Sequence, residues 1–335
     1  MPHSNFGGHI PVMINEVVSA LKPSDKTVYI DGTFGRGGYS KALLKLAATK
    51  VIGLDRDPEA VRVGTQLEKE FGGRFKIIHG CFSKIDELIC GEEFSQVDGV
   101  VLDLGPSSPQ LDDPNRGFSF RSDGPLDMRM SKDGTTAADL VNNISEKEIA
   151  NIIWSLGEER HSRRIAKEIV RVRSNEPILT TGQLANLVRR VVRTSNNRVD
   201  AATRTFMAFR IKVNDELNEL KRGLCAAENI LAPGGILAVV TFHSLEDRIV
   251  KDFLRSRSGF SAKGSRHFPE LEAQVEKPSF QLSVLRATKP SKEEIAANKR
   301  ARSARLRVAE RTTSPSWSHN YSSVTNSSVS IKGVG

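Results

Sequence analysis

Apolar positions along the chain fall into two rhythms. Five short runs are almost continuously apolar: "TVYID" (27–31), "KVIGLD" (50–55), "RFKIIHG" (74–80), "VDGVVLDLG" (97–105) and "GGILAVVTF" (234–242). Runs of this length, rich in Val and Ile on consecutive positions, predict strands covered on both faces. The first three are separated by helix-length segments whose apolar residues recur at three and four, such as Ala42, Leu43, Leu46 and Ala47. That alternation predicts an α/β fold, a parallel sheet with helices on both sides. A late run, "FQLSVLRAT" (280–288), predicts an added edge strand.

Between the fourth and fifth strands the rhythm becomes helical for over a hundred residues. "SEKEIANIIWSLGEERHSRRIAKEIVRVR" and "TTGQLANLVRRVVR" carry the pattern, with Thr180 and Thr181 as candidate caps. These residues, about 113–215, predict an inserted all-helical subdomain. "FMAFRIKVNDELNELKRGLCAAENIL" predicts one long helix returning to the sheet, stopped by "APGG". The predicted organisation is a discontinuous sheet domain (1–112 and 216–298), the helical insert (113–215), a basic segment (299–311) and a Ser-rich, disordered tail (312–335). The stretch 256–279 reads as irregular.

Composition narrows the class. The chain has 335 residues, 38% hydrophobic and 27% charged, and no apolar run long enough for a membrane span. The N-terminal residues have no basic and apolar regions of a signal segment. Cys81, Cys90 and Cys225 are too few and too irregularly spaced for a zinc site or a disulfide frame, which predicts no metal and a cytoplasmic protein. The formal net charge of +9 is compatible with a polyanionic partner.

The first strand runs into "DGTFGRGG", with glycines at 32, 35, 37 and 38. A dinucleotide turn is G-x-G-x-x-G and receives a pyrophosphate. Here the order is G-x-x-G-x-G-G, and Asp31 closes the strand just before it. A carboxylate there repels phosphate and suits a cationic ligand. S-adenosylmethionine, with an ammonium and a sulfonium and no phosphate, fits better than NAD. Asp55 ends the second strand about where an acid grips ribose hydroxyls in such folds. Phe82 follows the third strand as a candidate adenine platform, and Asp103 ends the fourth.

With those residues in place, the chain resembles a known family. "HIPVMINEVVSAL", "YIDGTFGRGGYS", "GLDRDPEAV", "VVLDLGPSSPQLDDPNRGFSFRSDGPLDMRM", "ATRTFMAFRIKVNDELNEL", "LAPGGILAVVTFHSLEDRIVKDF" and "ARSARLRVAER" resemble, in order, the RsmH (MraW) family. That family methylates the exocyclic N4 of a cytosine in the decoding centre of bacterial small-subunit (16S) ribosomal RNA. The resemblance implies a Rossmann-like class I S-adenosylmethionine-dependent methyltransferase sheet with the insert on it. It implies cofactor contacts at Gly37, Gly38, Tyr39, Asp55, Phe82, Asp103 and Gln110, to which the turn itself adds Asp31 and Gly35. It also implies a partner, the small-subunit RNA within an assembled or nearly assembled 30S subunit. Two positions depart from the family pattern: Tyr39, where His is frequent, and Asp200-Ala201, where His-Pro is frequent.

The residues allow one kind of chemistry better than another. Methylation at cytosine C5 needs a cysteine nucleophile, and "DLGPSSPQ" after the fourth strand has none. Methylation at N4 needs an acceptor that orients the amine, for which Asp103 is the first candidate and His243 in "TFHSLEDR" the second. The "PP[FY]" of many amino-methyltransferases is absent, so "SSPQLDD" or "GFSF" must steady the base. Basic residues for phosphate gather in two places: the insert, with Arg163, Arg164 and Arg171, and the segment with Arg300, Arg302 and Arg305. Two other classes compete with an RNA methyltransferase: an enzyme acting on a small molecule or protein, and a non-catalytic RNA-binding factor. The basic insert speaks against the first, and the complete set Asp31, Asp55 and Asp103 against the second.

Overall fold

The computed structural model describes residues 11–192, 200–260 and 276–317. Seven strands form one sheet: β1 (Val28–Asp31), β2 (Lys50–Asp55), β3 (Phe75–His79), β4 (Val97–Asp103), β5 (Leu231–Thr241), β6 (Phe280–Gln281) and β7 (Arg305–Arg311). Their order is β3-β2-β1-β4-β5-β7-β6. β1 to β5 run parallel, and β7 enters antiparallel to both β5 and β6. The chain winds outward from β1 to β3, then crosses back to β4. That reversal opens a crevice between β1 and β4 at the carboxyl edge, where ligands of such sheets bind.

The continuous apolar runs exist because both faces are covered. In β4, Val100 and Leu102 enter one apolar cluster and Val101 the other. The first cluster includes the helices Glu216–Ile230 and Ser244–Arg257, the second Ile14–Leu21, Gly38–Leu46 and Pro58–Phe71. A third cluster gathers residues from Leu126 to Phe209. It joins five helices: Ala137–Asn143, Glu146–Gly157, Ser162–Arg173, Thr181–Val191 and Thr203–Asn214. Thr180 caps the fourth of these in a capping box with Gln183, as its position predicts.

Three expectations are corrected. The single long helix over 206–231 is two helices, because Asp215 takes a left-handed φ of 51° between Asn214 and Glu216. Asp tolerates that conformation through its short polar side chain. The segment 299–311, expected as a basic segment following the last strand, instead supplies β7 to the interior of the sheet. Leu306, Ala309 and Arg311 are buried there. The expected edge strand over 280–288 shrinks to the two residues of β6. Most of the expected tail (318–335) and of the irregular stretch (261–275) lies outside the described residues. Trp317 does not: it stacks on Arg257, and its amide donates to Glu228 Oε1 at 3.2 Å.

Candidate active site

A cavity of about 1110 Å³ opens at the carboxyl edge of β1, β2 and β4. The glycine turn forms one wall. Gly37 has φ of 71° and caps the helix Gly38–Leu46, and a Cβ on Gly38 would strike Pro11 at 2.0 Å. Those two glycines answer to the protein's own packing. Gly35 differs: its φ is 53°, yet nothing lies closer than 3.8 Å to a Cβ built there. It presents bare backbone to the cavity.

The acids line up along the strand ends. Asp31 is fully buried, and its Oδ2 accepts from Ser40 Oγ at 2.7 Å and Ser40 N at 3.3 Å. Burial pushes its carboxyl up to about 6, against the Ser40 bonds that favour the charge. Asp55 accepts from Gly35 N at 2.7 Å with Oδ2 and from Asp57 N at 2.8 Å with Oδ1. Burial raises it too, to about 6. Each of its oxygens keeps one further acceptor position. Asp103 is pushed well above the carboxylate range by burial, by Asp31 and by Glu246. Among the described residues, Asp31 Oδ1 and Asp103 Oδ1 are buried without any hydrogen-bond partner. An orphaned acceptor costs about 1–3 kcal/mol, so two together call for a donor or a cation that the chain itself does not supply.

The other expected cofactor residues divide. Phe82 lines the cavity, with its ring edge packed on the helix Glu216–Ile230, where a Cβ on Gly223 would meet it at 2.4 Å. Tyr39 is buried, and its hydroxyl donates to Val12 O, fastening the segment before the first helix. Gln110 is spent on the protein at both ends: Oε1 accepts from Ser107 N at 2.9 Å, and Nε2 donates to Asp57 Oδ2 at 2.7 Å. Arg116 donates to that same Asp57 oxygen at 2.8 Å. Gln110 therefore holds the loop after β4 against the loop after β2.

His243 is not brought to the cavity wall, contrary to its reading as a base. Its Nδ1 caps the helix Ser244–Arg257, accepting from Glu246 N at 3.4 Å. Its Nε2 stands 3.0 Å from Glu246 Oε1 but out of line for a hydrogen bond. Glu246 does line the cavity. Burial alone would raise its carboxyl, but His243, Arg210 and the Phe242 amide outweigh burial and hold it low. Arg210 and Glu216 complete this corner, joined by Nε–Oε1 and Nη2–Oε2 bonds of 2.9 Å each. Glu216, His243 and Glu246 bring ligand atoms within 4.8 Å of one another, a spacing that would admit a cation. The guanidinium of Arg210 already supplies positive charge to that group.

The six arginines expected at RNA also divide. Arg163, Arg164 and Arg302 are exposed, with no ion-pair partner among the described residues. Arg171 is held by Glu168 at 2.7 Å, and Arg300 by Ser108 and Asp112. Arg305 sits in β7, where it shares Asp247 with Arg307. Asp200, a departure from the family pattern, binds Arg189 and accepts from Ala202 N at 2.9 Å.

A parallel sheet with this switch point, a bare glycine turn and an acid at successive strand ends defines a nucleoside-cofactor enzyme of the Rossmann-like class. A profile of the MraW methylase family matches residues 7–312, and the chain belongs to that family. It is 55% identical over 309 residues to the ribosomal RNA small subunit methyltransferase H of Paramagnetospirillum magneticum, covering 92% of this chain and 97% of that protein. It is 57% identical over 307 residues to the protein of the same name from Rhodospirillum centenum, covering 92% and 93%.

Proposed function

We infer that the chain transfers a methyl group from S-adenosylmethionine to the exocyclic N4 of a cytosine in the decoding centre of 16S ribosomal RNA. The observation that carries this is the 55–57% identity to small-subunit RNA methyltransferases over 92% of the chain. The site fits the cofactor on its own terms. Two orphaned carboxyl oxygens suit the ammonium and sulfonium, Asp55 has acceptor positions left for ribose hydroxyls, and Gly35 offers unshielded backbone. A phosphate cofactor would instead meet Asp55 and Asp103 on the cavity wall, with Asp31 buried behind it.

When bound, the cofactor supplies an electrophilic methyl: the N4 lone pair takes the methyl carbon, the C–S pair returns to sulfur, and one N4 proton departs. The chain's own residues do the rest. A cation lying against Asp103 favours its ionised form, and one near Asp31 offsets the cost of its buried charge. Asp103 then accepts an N4–H hydrogen bond and turns the amine toward the methyl. Glu246, held low and lining the same cavity, is the residue ready to take the departing proton. His243 positions Glu246 rather than touching the base.

Several finer readings belong to the same proposal. The sheet residues 1–112 and 216–298 act as the catalytic unit, and the insert 113–215 as the RNA-facing unit, with Arg163 and Arg164 among its exposed cations that have no ion-pair partner among the described residues. Arg302 is a third. The target base must leave its stack to reach a cavity this deep, so a subunit in which it is already splayed out is the favoured substrate. A ribosomal-subunit substrate supports a cytoplasmic location. No helix among the described residues is long and apolar enough to cross a membrane. The test is mass mapping of methyl groups on 16S RNA from cells with and without the gene, repeated in vitro on naked RNA and on assembled subunits. Loss of one N4-methylcytosine mark, restored on subunits but poorly on naked RNA, is expected. An unchanged map refutes the activity.

A further inference from the structure

Within the proposed reaction, the enzyme must also tell cytosine from uracil. Cytosine shows N4–H as a donor, then N3 and O2 as acceptors. A site that reads it needs carboxylate beside N4 and a donor beside N3. The corner formed by Asp103, Glu246, Arg210 and Glu216 holds both kinds of group in one cavity. Carboxylate oxygens of Glu216 and Glu246 lie within 4.8 Å of each other, Arg210 is bonded to Glu216, and all four side chains line the same cavity.

Arg210 is held as a reading residue must be. Nε and Nη2 form a parallel fork with Glu216, which fixes the plane of the guanidinium. Nη1, the third nitrogen, makes no hydrogen bond among the described residues, and the side chain is only 16% exposed. The backbone beneath is fastened as well. Asn214 Nδ2 donates to Arg210 O at 2.9 Å and to Met128 O at 2.7 Å, while Asn214 Oδ1 accepts from Met130 N at 2.8 Å. Met130 and Phe242 line the cavity as apolar neighbours for a flat ring.

We propose that Arg210 is the base-reading residue: its free Nη1 donates to ring N3 of the target cytosine while the carboxylates accept from N4. The proposal rests on the cytosine-N4 reading above. Such a site would disfavour uracil, whose O4 would face the acids and whose N3–H would face the guanidinium. Donation at N3 also draws electrons from the ring and makes the departing N4 proton more acidic. Arg210 lies on the last helix of the insert, so base recognition comes from the RNA-facing unit and methyl transfer from the sheet.

The test uses the full chain and reconstituted small subunits carrying cytidine or 3-deazacytidine at the target, the latter with C–H in place of N3. A hydrogen bond to a charged group is worth roughly 10- to 100-fold. Wild type should lose about that factor in kcat/KM on the analogue. Arg210→Met should lose a similar factor on cytidine and nothing more on 3-deazacytidine, because the missing bond is the same one. Comparing ratios cancels any intrinsic difference in amine reactivity. S-adenosylmethionine affinity by calorimetry should stay within about threefold, since no cofactor residue is touched. Arg210→Lys, which keeps charge beside Glu216, carries the same cycle if Arg210→Met fails to fold. Losses that multiply, or full activity of the variant on cytidine, overturn the proposal and leave Arg210 as a structural ion pair. Absence of N4 methylation by wild type on cytidine is a separate arm, which overturns the activity and the proposal with it.

Discussion

The carboxyl edge of the sheet and the strand β7 both carry charge into the protein, with opposite outcomes. In β7 the charge is answered. Arg305 and Arg307 share Asp247, and Arg311 donates to Glu228 O, Ser279 O and Ser314 O. At the sheet edge Asp31 Oδ1 and Asp103 Oδ1 are answered by nothing among the described residues. A satisfied charge holds the fold together. An unsatisfied one costs stability and persists where a ligand supplies the missing partner. The sequence makes β7 look like the binding arm, and pairing reverses that impression.

The comparison breaks most sharply at Asp103. Asp103→Asn keeps the shape but loses the charge, and should lower turnover by about 100- to 1000-fold, the range for removing one preorganised polar group. Cofactor affinity should change by less than about tenfold. Single-turnover kinetics beside calorimetry separates the two, and equal losses would make Asp103 a binding residue only.

Asp31 gives the next effect, and its sign is opposite for stability and for binding. Its carboxyl is raised from 3.8 to about 6 in the folded protein. A raised pKa contributes stability that is complete below pH 4 and lost as pH rises through 6. The ionised buried acid thus costs the free protein about 3 kcal/mol above that window. Asp31→Asn should melt at a higher temperature than wild type at pH 7.5, with the gain vanishing near pH 4. Cofactor binding should strengthen in wild type as pH rises from 5 to 7, and this dependence should flatten in the variant. A lower melting temperature at pH 7.5 would show that the acid is satisfied after all.

Asp55 is anchored by two backbone amides. Asp55→Ala should weaken the cofactor by about 10- to 100-fold, the value of a hydrogen bond to a charged group. Unchanged affinity in a folded variant would move the ribose elsewhere. The smallest effects belong to the arginines. Arg163 and Arg164 together replaced by Gln should flatten the slope of log RNA affinity against log salt by about 1.5, while Arg171→Gln, already paired with Glu168, should change it by much less. An equal effect at all three sites would erase the distinction between paired and free charge.

The strands β1 to β5 were legible because strands covered on both sides must be apolar at nearly every position. The strand-end acids were legible because polar residues closing such runs stand out. β7 was not, since "RLRVAER" interleaves Leu306 and Val308 with charge, and only Asp247 from another helix makes those arginines structural. The break at Asp215 was signalled by Asn-Asp, which tolerates the left-handed region, but the apolar rhythm on either side concealed it. Arg210 and Glu246 lie in stretches that the family resemblance quotes and that no spacing rule picks out. One signal was present for Arg210: a charged residue between Phe209 and Ile211, both buried in the helix. Its meaning depends on Glu216 and Glu246 across the cavity, a contact that only the folded chain reveals.

At the sheet edge the unanswered acids orient a cytosine amine of small-subunit RNA for methyl transfer from S-adenosylmethionine. The most direct measurement combines the purified chain, methyl-labelled S-adenosylmethionine and small subunits from cells lacking the gene, followed by digestion of the RNA to nucleosides and mass analysis. The predicted result is one labelled N4-methylcytidine per subunit, nearly abolished by Asp103→Asn and preserved when Cys81, Cys90 and Cys225 are all replaced by Ala. Label at cytosine C5, or on protein, or none at all, would contradict it.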